Sequence, residues 1–294
     1  MKVVVTGGRG FIGRTAARML QQRGHAVTNC DRLPPLPETR PNEWGRQVVA
    51  DVTQAGDIWP LMAGQEAVVH CAGIPEAGIL PDAVVFHHNV DGVFHVLSAA
   101  HALGVRRVVL ASSATLLGFD GLRPPPMAFL PADETHPLRP VHVYSLSKRI
   151  GEELAEYTAQ RAPAMCIWSL RLCLVLGADN WEREGRPRLR SPDLGARHLF
   201  AYVWVDDVAD LVGRCLEGGP SLIPGHHPMY VAASDSLSEE PLETIRRRYF
   251  PQAAWRGGTA LVDCGRAREL VGFAPTRSWR QHRGCEEEEK ETGA

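Results

Sequence analysis

The sequence predicts an α/β protein built on a doubly wound parallel sheet, with a small lobe appended towards its C-terminal end. Two observations predict it. Apolar strand-like runs alternate with helix-like stretches through residues 1–176, and the first strand passes through a glycine-rich turn straight into a helix. Parallel strands need a covering crossover, so strand-helix-strand alternation places helices on both faces of one sheet. A chain of 294 residues with 44% apolar content suffices for one large domain with a lobe, or for two domains.

The elements follow in order. Met1, Lys2 and the β-branched run Val3-Val4-Val5 read as a buried strand, and residues 12–23 carry apolar side chains at helical spacing. A second strand spans 26–30 and ends at Asp31. Further strands are expected at 47–50, 67–70, 107–112 and 165–171, with helices at 54–63, 82–103 and 143–160 between them. The segment 177–198 is rich in Arg, Pro and Gly and reads as loop with little regular structure. Residues 202–217 return as a short strand and a helix capped by Asp206, and 229–233 read as another core strand. Short helices are expected between 238 and 279. The organisation is therefore a dinucleotide-binding domain over 1–176, rejoined by 202–233. A substrate lobe is expected from 177–201 and 234–285, and a charged, disordered tail over 286–294.

Gly7, Gly10 and Gly13 stand in the turn Thr6-Gly7-Gly8-Arg9-Gly10-Phe11-Ile12-Gly13. Glycines at this spacing turn the chain sharply, let backbone approach a pyrophosphate without a Cβ, and pack the helix against the sheet. The helix N-terminus then offers free N–H groups to phosphate. Asp31, about twenty residues on, is placed to accept from both ribose hydroxyls. Its charge favours NAD and disfavours NADP, whose 2′-phosphate would meet a like charge, although Arg9 and Arg32 lie close in sequence.

Tyr144 and Lys148 are four residues apart and project from one helical face. An ammonium beside the phenol is expected to lower its pKa, so that Tyr144 takes a proton from a substrate hydroxyl while hydride leaves the same carbon. Ser113, at the end of a core strand, is placed to hydrogen-bond that oxygen, although Ser-Ser at a strand end also serves as a helix cap.

Together these motifs make the chain resemble an extended short-chain dehydrogenase/reductase, the group with nucleotide-sugar epimerases and dehydratases, and imply a Rossmann fold. The resemblance covers residues 1 to about 274 and extends to Asp51-Val52-Thr53, which in the family flanks the adenine. It includes His70-Cys71-Ala72-Gly73 against the cofactor, Asn89-Val90-Asp91-Gly92 opening a helix, Leu170-Arg171-Leu172 with Leu176-Gly177, and Tyr202 through Val208. It implies that Gly7, Gly10, Phe11, Ile12, Gly13, Asp31, Asp51, Val52, Cys71, Ala72, Gly73, Asn89, Tyr144 and Lys148 bind NAD, with Asn89 steadying the central strands. It implies that Ser113, Tyr144 and Lys148 are catalytic. Ser112-Ser113-Ala114-Thr115 is similar to the corresponding run of UDP-sugar 4-epimerases. The Thr-Asp-Glu that dehydratases carry there is absent, as is the Asn-His that follows the serines in uronate dehydrogenases.

The expected function is NAD-dependent hydride transfer on a sugar or nucleotide-sugar hydroxyl or ketone, foremost by a nucleotide-sugar epimerase. The alternative is an NAD(P)-dependent dehydrogenase or reductase of a free sugar, a sugar acid or a secondary-metabolite ketone. Arginines in 183–190 are candidates for a diphosphate or carboxylate. The Leu117, Cys173, Leu174 and Trp204 positions depart from the epimerase pattern, all on the substrate side. A net charge of −2 gives no electrostatic case for nucleic acid or an anionic membrane, and no apolar run reaches membrane-spanning length. Seven cysteines without C-x-x-C pairing and twelve scattered histidines imply a reducing, cytoplasmic setting and no metal. By resemblance, the 82–103 and 143–160 helices pair two chains into a homodimer.

Overall fold

The computed structural model describes residues 1–35, 44–218 and 222–282. In chain order the elements are β1 (Lys2–Thr6), α1 (Phe11–Gln22), β2 (Ala26–Asp31), β3 (Arg46–Val49), α2 (Ala55–Met62), β4 (Ala67–His70), α3 (Asp82–Ala102) and β5 (Arg107–Ser113). They continue with β6 (Phe129–Leu130), α4 (Val143–Arg161), β7 (Cys166–Leu172), β8 (Leu174–Leu176), α5 (Arg186–Arg190), α6 (Pro192–Ala196), β9 (Tyr202–Trp204) and α7 (Val205–Glu217). The last are β10 (Gly225–Val231), α8 (Leu242–Tyr249), β11 (Ala254–Trp255) and α9 (Gly265–Val271).

Seven strands form one sheet in the order β10-β7-β5-β4-β1-β2-β3, every pair parallel. Strand order reverses between β1 and β4, and a crevice opens beyond their C-terminal ends at that point. The two-residue period of β1 shows how the sheet is covered. Val3 and Val5 turn to one face, where Ala16, Ala17 and Leu20 of α1 meet Val208, Leu211 and Val212 of α7. Val4 turns to the other, against Ile58 and Met62 of α2, Val93 and Val96 of α3 and Ala155 of α4. Burial on both faces explains why β1 reads as a continuous apolar run instead of an alternating one.

Three expectations are corrected. The segment expected as loop over 177–198 holds an irregular helical turn (Trp181–Gly185) followed by α5 and α6. Both short helices have proline in the first turn, where its missing N–H costs nothing. Asp206 does not cap α7: Trp204 holds the cap position without a side-chain bond, and Asp206 lies inside the first turn, opposite the positive end of the helix dipole. Core strand β10 begins and ends earlier than the expected 229–233. The tail expected over 286–294 lies outside the described residues.

A third apolar cluster, Leu176, Trp181, Tyr202, Trp204, Ala233, Leu237 and Trp279, joins β8, β9 and the C-terminal segment. Asp207, buried at the start of α7, accepts N–H bonds from Thr276 at 3.2 Å and Arg277 at 3.0 Å, and the Thr276 hydroxyl at 3.0 Å. The Tyr202 hydroxyl donates to Asp235 at 2.6 Å and accepts from Trp279 N–H at 2.9 Å. Residues 276–279 are thereby fastened to α7 and β9.

Candidate active site

The glycine turn is built by exclusion. Gly7 sits at φ +67°, and a Cβ there would come within 2.5 Å of the Ala72 nitrogen. A Cβ on Gly13 would lie 2.2 Å from the Gly7 carbonyl oxygen. Gly8 carries the same demand unnoticed in the sequence, because its Cβ would overlap Asn29 Oδ1 at 1.3 Å, and Asn29 Nδ2 donates to the Gly8 carbonyl at 3.1 Å. Gly10 caps α1 without any side-chain acceptor, so the first-turn N–H groups of Phe11, Ile12 and Gly13 keep their side of the cleft free of protein side-chain bonds.

A cleft beside this turn is lined by Gly7, Gly10, Cys30, Asp31, Arg32, Ala50, Asp51, Val52, Cys71, Ala72, Gly73, Ile74 and His88. Asp31 is held at the tip of β2 by N–H donors from Arg9 at 3.1 Å and Leu33 at 3.2 Å. Asp51 accepts from Thr53 N–H and Oγ1, both at 2.9 Å, which together with His88 and Arg32 holds its carboxyl below its usual value despite partial burial. Thr6 Oγ1 and His70 Nδ1 share a 2.8 Å hydrogen bond under the cleft floor, and burial drives His70 down to about 3, so the imidazole is neutral. Burial pushes the Cys30 and Cys71 thiols up to about 12, which makes them inert walls.

Phe11, Ile12, Gly13 and Asn89 lie behind the lining. Phe11 abuts Gly177, where a Cβ would stand 2.7 Å from its ring, and this explains the glycine after Leu176. Asn89 works on a loop and not on the strands as expected. Its Oδ1 accepts from Ile74 N–H at 2.8 Å, while its Nδ2 donates to the Ile74 carbonyl and to Ser147 Oγ, each at 3.1 Å. It clamps the turn after β4 onto α4.

At the other end of the crevice the structure brings Ser113, Tyr144 and Lys148 together. Ser113 ends β5 and also caps the following turn, accepting from Thr115 N–H at 3.2 Å and Thr115 Oγ1 at 3.0 Å. With its oxygen accepting twice, its own proton goes to the Tyr144 oxygen, with which its side chain hydrogen-bonds. Lys148 donates to the Ala111 carbonyl at 2.7 Å and stands 5.5 Å from the Tyr144 ring centre.

The expected depression of the Tyr144 pKa is not what this geometry produces. Burial pushes the phenol up to about 12, the Ser113 hydrogen bond opposing and the Glu76 carboxylate adding to the rise. Lys148 is itself desolvated, down to about 8, and donates one of its three N–H groups to Ala111. The pair is thus a phenol and a weakened ammonium, with the proton on the tyrosine.

His142, which no sequence motif marks, completes the constellation. It caps α4, with Nδ1 accepting Ser145 N–H at 3.0 Å, and its ring stacks on Tyr144 with centroids 6.0 Å apart and planes 22° apart. Burial holds it below the ordinary imidazole value. With Nδ1 committed as an acceptor, it positions the tyrosine and has no spare proton there to shuttle. Histidine is an uncommon cap, which is why the residue before Val143 carries no signal.

In the segment after β8, Arg183 and Arg188 pair with Glu184 at 3.0 and 2.8 Å, and Arg186 with Glu182 at 2.8 Å. Trp204, standing where the family has histidine, packs its ring 6.0 Å from Trp181.

Residues 3–221 match the model of the NAD dependent epimerase/dehydratase family. The chain belongs to that family. It is 30% identical to the UDP-glucose 4-epimerase of Rhizobium leguminosarum bv. trifolii over 93% of this chain and 92% of that protein. It is 28% identical to the uronate dehydrogenase of Pseudomonas putida, a match spanning 54% of this chain and little more than half, 56%, of that enzyme. The UDP-glucose 4-epimerase of Bifidobacterium longum, solved in complex with NAD+ and UDP, superposes with a TM-score of 0.72 at 17% identity over 95% of this chain and 94% of that one. The protein is thus an NAD-dependent enzyme on a Rossmann sheet. The residues present fit that cofactor: a tight turn whose backbone packing excludes any Cβ at Gly7 or Gly13, an uncapped helix N-terminus beside it and a carboxylate lining the cleft at the end of β2. Among the described residues no helix is long and apolar enough to cross a membrane, and no three His, Cys, Asp or Glu side chains cluster around a possible metal ion.

Proposed function

We propose that the protein moves hydride to and from a hydroxyl-bearing carbon of a sugar, with Tyr144 as the proton donor and acceptor, Ser113 as hydrogen-bond donor to the same oxygen and Lys148 as the cation beneath it. The observation that carries this is the convergence of these three side chains at the C-terminal end of β5, at one end of the crevice that holds the glycine turn. Bound NAD supplies the hydride acceptor and, when oxidised, a positive charge. Within the protein, the protonated phenol is ready to donate to a ketone oxygen, and oxidation of an alcohol requires it to lose that proton first. Ser113, already an acceptor to Thr115 twice over, directs its hydroxyl hydrogen at Tyr144 and, when a substrate oxygen lies beside the phenol, transfers that bond to it and steadies its charge. Asp31 selects NAD by accepting from ribose hydroxyls, and Asp51 with Val52 flanks the adenine.

The substrate we assign is a nucleotide sugar and the net reaction an epimerisation. Support comes from the epimerase relative matched along nearly the whole of both chains and from the excess of arginine over glutamate in 181–190. The lobe of 177–201 and 234–282 is the part we assign to the sugar. The second reading, net oxidation of a free sugar or sugar acid, is favoured by one observation: Arg183, Arg186 and Arg188 already lie against Glu182 and Glu184. A diphosphate entering there would have to displace carboxylates of its own sign. The test is absorbance at the NADH band with a panel of UDP-sugars, free aldoses and uronates, coupled to chromatography of the products. Interconversion of UDP-sugars without net NADH establishes epimerisation; stoichiometric NADH from an unactivated sugar overturns it in favour of the second reading.

Exposed apolar side chains on adjacent helices, Val84 and Phe94 of α3 with Leu146 and Tyr157 of α4, support a homodimer through these helices, which sedimentation checks. Among the described residues six free cysteines, five of them buried, support a cytoplasmic location.

A further inference from the structure

Phe11 lies behind the lining of the cofactor cleft, and what it meets there is the turn that follows β8. Its ring abuts Gly177 so closely that a Cβ would stand 2.7 Å away. The Arg14 guanidinium lies over the same ring, 5.8 Å from its centre, and pairs with Asp179. Asn180 closes the turn on itself: its Oδ1 accepts Gly177 N–H and its Nδ2 donates to the Val175 carbonyl, each at 2.9 Å. Phe11, Gly177, Asp179 and Arg14 thus form a closed ring of contacts between the start of α1 and the segment after β8. Its position gives it meaning. Phe11 and Arg14 belong to the first turn of α1, the uncapped end that offers N–H groups to the pyrophosphate of NAD. The Arg14 and Asp179 side chains are 35% and 62% exposed, so the pair is weak and reversible where a buried one would be fixed. A contact of that strength suits a closure that must open whenever cofactor is exchanged.

We propose that Arg14 and Asp179 clasp residues 177–180 over the pyrophosphate end of bound NAD and set how long the cofactor stays. They act on the segment and not on the reacting atoms, and are positioning residues. The inference rests on the NAD dependence of the family and on no assignment of substrate.

The test is stopped-flow release of NADH from the full chain, followed by its fluorescence after mixing with excess NAD. Asp179→Asn and Arg14→Gln should each raise the dissociation rate about two- to fivefold, the worth of one exposed ion pair, with the thermal melt within a degree or two of wild type. The double variant should release no faster than the faster single one, because both lose the same contact. The ratio of variant to wild-type rate should fall towards one as salt rises from about 0.05 to about 1 M, where screening has already weakened the pair. Unchanged rates in both single variants, single effects that multiply in the double, or a ratio indifferent to salt overturns the proposal. Wild-type protein that binds no NADH overturns the cofactor premise and the clasp with it, an outcome distinct from binding with unaltered release.

Discussion

Removing the carboxylate of Glu152 should cost this protein more stability than any change on its surface. Glu152 on α4 and Arg171 on β7 are 5% and 4% exposed and meet through two guanidinium nitrogens, Nε at 3.0 Å and Nη2 at 2.8 Å. Ser112 Oγ donates to the same carboxylate at 2.6 Å, and the guanidinium lies over the Tyr230 ring at 5.2 Å. Glu152→Ala leaves a buried cation unpaired, which costs about 3–5 kcal/mol, and orphans the serine hydroxyl, which costs about 1 kcal/mol more. For a chain of this size that corresponds to a fall in Tm of roughly 8–12 °C. The double variant Glu152→Ala with Arg171→Met removes the stranded charge and should regain at least about 2 kcal/mol, because an absent ion pair costs less than a broken one. Urea unfolding followed by circular dichroism measures both. A single variant within about 1 kcal/mol of wild type, or a double variant no more stable than the single, refutes the idea that the stranded guanidinium is what destabilises the fold.

Tyr144→Phe keeps the ring against His142 and removes only the hydroxyl, so turnover should fall at least about a hundredfold while Tm stays within a degree or two; steady-state kinetics beside a thermal melt checks the split. Glu76→Gln removes a negative charge that holds the Tyr144 phenol up, so the limb of the oxidation rate that rises with pH should move to lower pH, read from a pH profile of kcat; a profile that does not move would count against Tyr144 as the base. His70 stays neutral down to about pH 3, so the unfolded chain binds a proton that the folded one refuses between its ordinary value of 6.5 and that point. Stability is therefore full above about pH 6.5 and declines as the pH falls through this window. His70→Asn, which can keep a hydrogen bond to Thr6, should reduce the loss between pH 7 and about pH 4.5 by roughly 2 kcal/mol, measured as the difference in urea midpoints.

What the sequence disclosed divides along a physical line. Val3-Val4-Val5, the glycine turn and the pairing of Tyr144 with Lys148 are set by neighbours a few residues away, and each stands where spacing predicts it. What it withheld depends on partners far along the chain. Gly8 must be glycine because of Asn29 from the next strand, and Gly177 because of Phe11 from the first helix. The direction of the Tyr144 shift runs against its expectation for the same reason: the Lys148 spacing is local, whereas the burial that outweighs it is assembled by the whole fold. The proline starts of α5 and α6 are legible in principle and are hidden by the density of arginine around them.

The bonds from residues 276–279 to Asp207 and Tyr202 bear on how the molecule is made. Asp207 is only 3% exposed once Thr276 and Arg277 are in place, so until they leave the ribosome a nascent chain with α7 already formed lacks both the partners and the cover of this carboxylate. Trp279, fully buried between β9 and the segment after β10, arrives later still. Synthesis therefore completes every strand of the seven-stranded sheet well before the segment that fastens α7 and β9 arrives, and a chain stopped before Thr276 would be unfinished with its cofactor cradle fully encoded.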